Sequence, residues 1–109
     1  MKVDLIDNNG VTVVSPSGEI DMYSSPELRK QLLTLIKKKT STIIIALHDV
    51  TYIDSSGIAT FVEALKRMMP YKGKLKIAEV PESIMRIFNF SKLDKVFEMY
   101  ESVDDAIKG

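Results

Sequence analysis

A chain of 109 residues, 45% hydrophobic and 28% charged, has the make-up of a globular protein and the length for one domain rather than two. Its 15 basic residues balance its 15 acidic ones, so no long-range field gathers nucleic acid or anionic lipid. No cysteine is present and His48 is the only histidine, which excludes thiol and disulfide chemistry and leaves no metal-ligand spacing. The opening residues, MKVDLIDNNG, lack the apolar core of a signal peptide, and no apolar run reaches bilayer length. The expectation is a cytoplasmic protein without cofactor, metal or membrane insertion.

Two short β-like runs, Val3–Ile6 and Val11–Val14, flank Asn8-Asn9-Gly10 and predict a hairpin. In SGEIDMYSSPEL, Pro26 suits a first helical turn, with Ser24 or Ser25 as its cap. Ser24 and Glu27 have the spacing of a capping box. Leu28, Leu32, Leu35 and Ile36 then recur at helical spacing to about Lys38, and Lys37-Lys38-Lys39 complements the dipole at that helix end. TIIIAL (Thr42–Leu47) is a continuous β-branched run, the pattern of a strand covered on both faces.

A second helix is expected after Gly57, with Ile58, Phe61, Val62, Leu65, Met68 and Met69 on one stripe and Pro70 and Gly73 ending it. That stripe reads as core. Lys74–Val80 is the next strand, and Pro81 starts a third helix lined by Ile84, Ile87 and Phe88. A brief strand around Val96–Met99 follows, and Ser102 with Asp105 predicts a capped C-terminal helix. Alternating strands and helices give an α/β domain over residues 1–109. Its expected core is a mixed, mostly parallel sheet of four or five strands, with a hairpin at one edge and about four helices.

The chemistry concentrates in VTYIDSSGIATF (Val50–Phe61). A turn between a strand and a helix lies at the carboxyl end of the sheet, where open α/β folds carry their sites. Asp54, Ser55 and Ser56 could cap the helix. A hydrolase would need a base within reach of a serine hydroxyl; His48 is the one imidazole, and the G-x-S-x-G elbow is missing. A single glycine does not make a phosphate loop. A third possibility is a serine that receives a phosphoryl group: about −1.5 to −2 charges at the positive end of a helix. Spacing alone does not choose between Ser55 and Ser56.

These residues carry a resemblance. VTYIDSSGIATFVEAL resembles the signature of the STAS domain of anti-sigma factor antagonists, in which an apolar strand leads into Asp-Ser-(Ser/Thr/Ala)-Gly and an apolar helix. GEIDMYSSPEL (Gly18–Leu28) is similar to the family's second signature, and PESIMRIFNFSKLDKVFEMYESVDDAI follows its late segments. The resemblance implies a non-enzymatic partner switch. Unmodified, such a protein binds an anti-sigma factor that is also a serine kinase, and a sigma factor is released. Phosphorylation then ends the binding, and a serine phosphatase resets it.

By position the implied acceptor is Ser55, with Ser56 second. The implied docking surface comprises Asp21, Met22, Tyr23, Ser24, Asp54, Ser56 and Gly57. A balanced surface with no obvious exposed apolar stripe makes a monomer the expectation. Other members of the family act without the switch, as scaffolds in stress-sensing complexes or as parts of lipid-transport machinery. The remote alternative is a serine hydrolase using Ser55 with His48.

Overall fold

The computed structural model spans residues 1–109. Asn9 and Gly10 both adopt positive φ, 54° and 85°, the left-handed pair that a two-residue hairpin turn requires. They fold β1 (Lys2–Asn8) back antiparallel onto β2 (Val11–Ile20). β2 runs ten residues, past the expected Val14, because it serves two neighbours in turn. Val11–Val14 pair in parallel with β3 (Thr42–Ala46). After a register shift between Gly18 and Glu19, the last residues pair in parallel with β4 (Val50–Ile53). β5 (Lys74–Ala78) and β6 (Glu98–Tyr100) complete the sheet, also in parallel, in the order β1-β2-β3-β5-β6 with β4 beside the end of β2.

The sheet therefore has six strands, β4 being additional to the four or five expected. Its four residues carry no strict alternation, since Thr51 and Tyr52 are both exposed between buried Val50 and Ile53. Four helices cover the sheet: α1 (Ser25–Lys37), α2 (Ser55–Met68), α3 (Glu82–Phe90) and α4 (Val103–Lys108). α2 begins two residues before Gly57, not after it. A 3₁₀ turn at Met69–Tyr71 and left-handed Lys72 end it, as Pro70 and Gly73 foretold. Ser102 caps α4 as expected, accepting from the Asp105 amide at 3.0 Å. The last strand sits two residues later than its expected start, and Val96 lies exposed before it.

Burial follows from the two-residue strand period. Ile43, Ile45 and Leu47 of the β3 run, with Leu75 and Ile77, face α1, α2 and α3 and meet Leu28, Leu32, Phe61, Met68, Ile84 and Phe88 in one core. Phe61 and Phe88 are fully buried, each contributing about 1.5–3 kcal/mol relative to exposure. Phe88 also meets Phe97 edge-to-face, centroids 6.1 Å apart. Ile87, expected in that set, faces outward. The alternate residues Ile44, Ala46 and Ala78 form a second cluster with Val13 under Ala106 of α4. The β3 run is thus covered on both faces, as its composition required.

Two polar devices hold the helices in place. Glu63 of α2 receives a fork of hydrogen bonds from Arg29 of α1, at 2.7 and 2.8 Å, and a third from Arg67 at 2.9 Å. Arg29 chiefly, with Arg67, holds the Glu63 carboxyl down at about 2. On the other face Lys76 is only 3% exposed. Its ammonium donates to the carbonyls of Ala106 and Gly109 at 2.8 and 2.9 Å and lies 5.3 Å from the centre of the Tyr100 ring. A six-residue helix is too short to persist alone, so this lysine is the clamp for α4.

Two outcomes follow. Lys76→Ala leaves two carbonyls without their donor and should lower the unfolding free energy by at least about 2 kcal/mol in denaturant titration, with early hydrogen exchange in α4. Glu63→Gln should cost about 1 kcal/mol or less at neutral pH, since the pair is partly screened. A carboxyl with a depressed pKa adds stability above its ordinary value near 4.5 and loses it as pH falls through about 2. The gap between wild type and Glu63→Gln should therefore be constant above pH 4.5 and close below it.

Candidate functional site

The two signature segments meet at the carboxyl end of the sheet. The Asp54 amide donates to the Ile20 carbonyl at 3.1 Å, joining the end of β4 to the end of β2. Asp54, in extended conformation, is the N-cap of α2. Its Oδ1 accepts from the amides of Ser56 at 2.9 Å and Gly57 at 3.3 Å, and from the Ser56 hydroxyl. The Met22 amide lies near enough to favour the charged form of this carboxylate as well. The Ser56 hydroxyl foremost, followed by the amides of Gly57, Ser56 and Met22, holds the Asp54 carboxyl below the usual carboxylate range, against the opposing effect of burial.

The capping reading was right for Asp54 and wrong for Ser24. Ser24 already has helical dihedrals and makes no capping bond, so the expected box with Glu27 does not form. Its hydroxyl instead donates to the Glu19 carbonyl at 2.7 Å and accepts from the Asp21 amide at 2.9 Å. The Asp21 carboxylate takes the amides of Tyr23 and Ser24 at 2.9 and 3.0 Å. Glu27 meets Gln31 one turn on. Asp21 and Ser24 thus shape the β2–α1 loop, and the loop presents Met22 and Tyr23 to solvent, 66% and 87% exposed.

The adjacent serines differ. Ser56 is half-buried and its hydroxyl is committed to Asp54. Ser55, the first residue of α2, is exposed and its hydroxyl makes no hydrogen bond within the protein. Gly57 is buried beneath them and offers no contact surface. A Cβ there would lie 2.7 Å from both Ile20 Cγ2 and Ile53 Cγ1, so only glycine lets α2 approach the ends of β2 and β4 this closely. Of the predicted site, Asp21, Met22, Tyr23, Ser24, Asp54 and Ser55 form one surface, with Ser56 half beneath it.

No base stands ready for Ser55. The ring nitrogens of His48 lie 3.0 Å from Asp49 and 2.9 Å from Glu79, and no hydrogen bond links the imidazole to either serine. One surface escaped the sequence reading. Ile58 and Val62, assigned to the core with Phe61 and Leu65, do pack against it but are only partly buried, and with Ser55, Ala59, Glu63, Lys66 and Arg67 they line an open groove of about 630 Å³ along α2. The signal was Ala59, a small exposed residue that leaves its apolar neighbours uncovered.

A six-stranded mixed sheet with its two signature turns locked together at one end defines a class of regulatory domain. Residues 2–106 match the family model of the STAS domain, and the chain belongs to that family. The anti-sigma-B factor antagonist of Bacillus subtilis is 33% identical over 99% of this chain and 98% of its own length. Among solved structures, an anti-sigma factor antagonist from Mycobacterium paratuberculosis superposes with a TM-score of 0.90 at 27% identity, covering 98% of this chain and 91% of that one. The Bacillus protein SpoIIAA in its phosphorylated form shares the fold, with a TM-score of 0.78 at 21% identity over 98% of this chain and 97% of its own. No helix is long and apolar enough to cross a membrane.

Close packing at Gly57 and the free hydroxyl of Ser55 predict opposite sensitivities. Gly57→Ala should cost about 1–3 kcal/mol by overpacking against Ile20 and Ile53. Ser55→Ala should stay within about 0.5 kcal/mol of wild type, as for a surface position without partners. Chemical denaturation of the two variants checks both.

Proposed function

We propose that the protein is an anti-sigma factor antagonist switched by phosphorylation of Ser55. The observation that carries the reading is the division between neighbouring hydroxyls: Ser55 is exposed and unbonded, whereas Ser56 is held by Asp54. In the unmodified state, the surface formed by Met22, Tyr23 and the start of α2 docks on an anti-sigma factor with serine-kinase activity, and a sigma factor is released. The kinase transfers the terminal phosphoryl group of ATP to Ser55 Oγ. A new O–P bond forms, the bond to ADP breaks, and the hydroxyl proton passes to a base of the kinase.

The consequence is electrostatic. The modification adds about −1.5 to −2 charges beside Asp54. The amides of Ser56 and Gly57, which could otherwise draw in the phosphate, already serve the Asp54 carboxylate. The new group therefore stays at the surface, where it blocks docking and leaves the helix intact. A serine phosphatase would reverse it. The names of the relatives support the antagonist role, and the phosphorylated form of SpoIIAA supports a phosphoryl group on this fold. The action of such a protein as a monomer in the cytoplasm belongs to the same proposal.

The test is incubation of the pure protein with its anti-sigma kinase and ATP, followed by mass spectrometry. Label is expected on Ser55, none on Ser55→Ala, and normal labelling of a Ser56→Ala variant. Equal labelling of Ser55→Ala and wild type would remove the assignment. Ser55→Asp should bind the kinase at least about tenfold more weakly with an unchanged thermal midpoint.

A further inference from the structure

Resting on that reading, we infer that the partner lays an amphipathic helical segment along the α2 groove, with its acidic end against Lys66 and Arg67. The groove starts at Ser55, and its floor is Ile58, Ala59 and Val62. Spaced at three and four residues on one helix, these present an apolar stripe of the kind that receives a partner helix. From Ser55 to Lys66 is eleven residues, roughly 16 Å of helix at ~1.5 Å per residue, enough for about three turns of a docked segment.

The ends of this groove differ in charge, and that fixes the orientation. At its start lie the carboxylates of Asp54 and Asp21, with Met22 and Tyr23 exposed beside them. At its far end stand Lys66 and Arg67, both exposed. Arg67 spends its Nε on Glu63, while Lys66 forms no ion pair or hydrogen bond in the protein. Glu63 also lines the groove but is neutralised by Arg29 and Arg67, so Lys66 is the unpaired cation beside the apolar floor. A segment that sets apolar side chains over Met22, Tyr23 and Ser55 and an Asp or Glu at Lys66 satisfies both ends; the reverse orientation puts acid on acid. A phosphoryl group on Ser55 would then be buried under the apolar end of the segment, at the point where charge is least tolerated.

The experiment measures binding of the purified serine-kinase anti-sigma factor from the same genome to unmodified protein by titration calorimetry. Lys66→Glu leaves the Arg29–Glu63–Arg67 network in place and should weaken binding about tenfold or more at low salt, the deficit shrinking at about 0.5 M added salt, where surface charges are screened. Ala59→Arg fills the groove at an exposed position and should weaken binding further, and Lys37→Glu at the end of α1 should bind like wild type. Thermal melts of each variant separate lost contact from lost fold. If Lys66→Glu and Ala59→Arg bind like wild type while Ser55→Asp does not, the switch stands and the groove assignment falls. If wild-type protein binds no anti-sigma factor of its genome, the antagonist reading falls and the groove loses this occupant.

Discussion

The site depends on one carboxylate. Asp54 closes β4, caps α2, orients the Ser56 hydroxyl, and through its amide is bonded to the Ile20 carbonyl at the start of the other signature loop. Its bonds thus join two segments more than thirty positions apart in the chain, and the Ser56 and Gly57 amides would be orphans at a helix start without it. The acid therefore settles where both loops sit relative to the sheet. Beneath it, Gly57 allows Ile20 and Ile53 to touch the helix backbone, so polar and apolar terms agree on one geometry.

A site built this way separates carrying from signalling. The groups that hold the end of the sheet together, Asp54, Ser56, Gly57, Asp21 and Ser24, are engaged with one another. The side chains left over, those of Ser55, Met22 and Tyr23, stand in solvent without a hydrogen bond inside the molecule. Chemistry at the second set can change what the surface presents without loosening the first. Under the proposed switch this is the physical condition for a domain that survives modification, and it is met by two short segments, Asp21–Ser24 and Asp54–Gly57.

Much of this was legible in the sequence because local rules and tertiary structure agreed. Asn9-Gly10 gave the hairpin, the β-branched Ile43–Ile45 run gave a strand covered on both faces, and Ser102 gave the last cap. The misses share a cause: each depends on a partner distant in the chain. β4 is too short to carry a period and is defined by its pairing with β2. Ser24 has capping spacing, but the Glu19 carbonyl and the Asp21 amide compete for its hydroxyl and win. Lys76 sits at a polar position of an alternating strand and is buried only because α4 returns over it. The α2 groove was hidden because a helical apolar stripe does not say how much of its width the sheet will cover.

The outer strand has its own implication. β1 pairs on one side only, and Leu5 and Ile6 project from it into solvent on opposite faces. An open edge with apolar side chains is a template on which another chain can continue the sheet. In this molecule Lys2, Asp4 and Asp7 interrupt the seven-residue strand, and like charges meeting across a new ladder oppose its growth. The margin farthest from the sheet's β6 edge is thus guarded by three charged side chains that contribute little to the core.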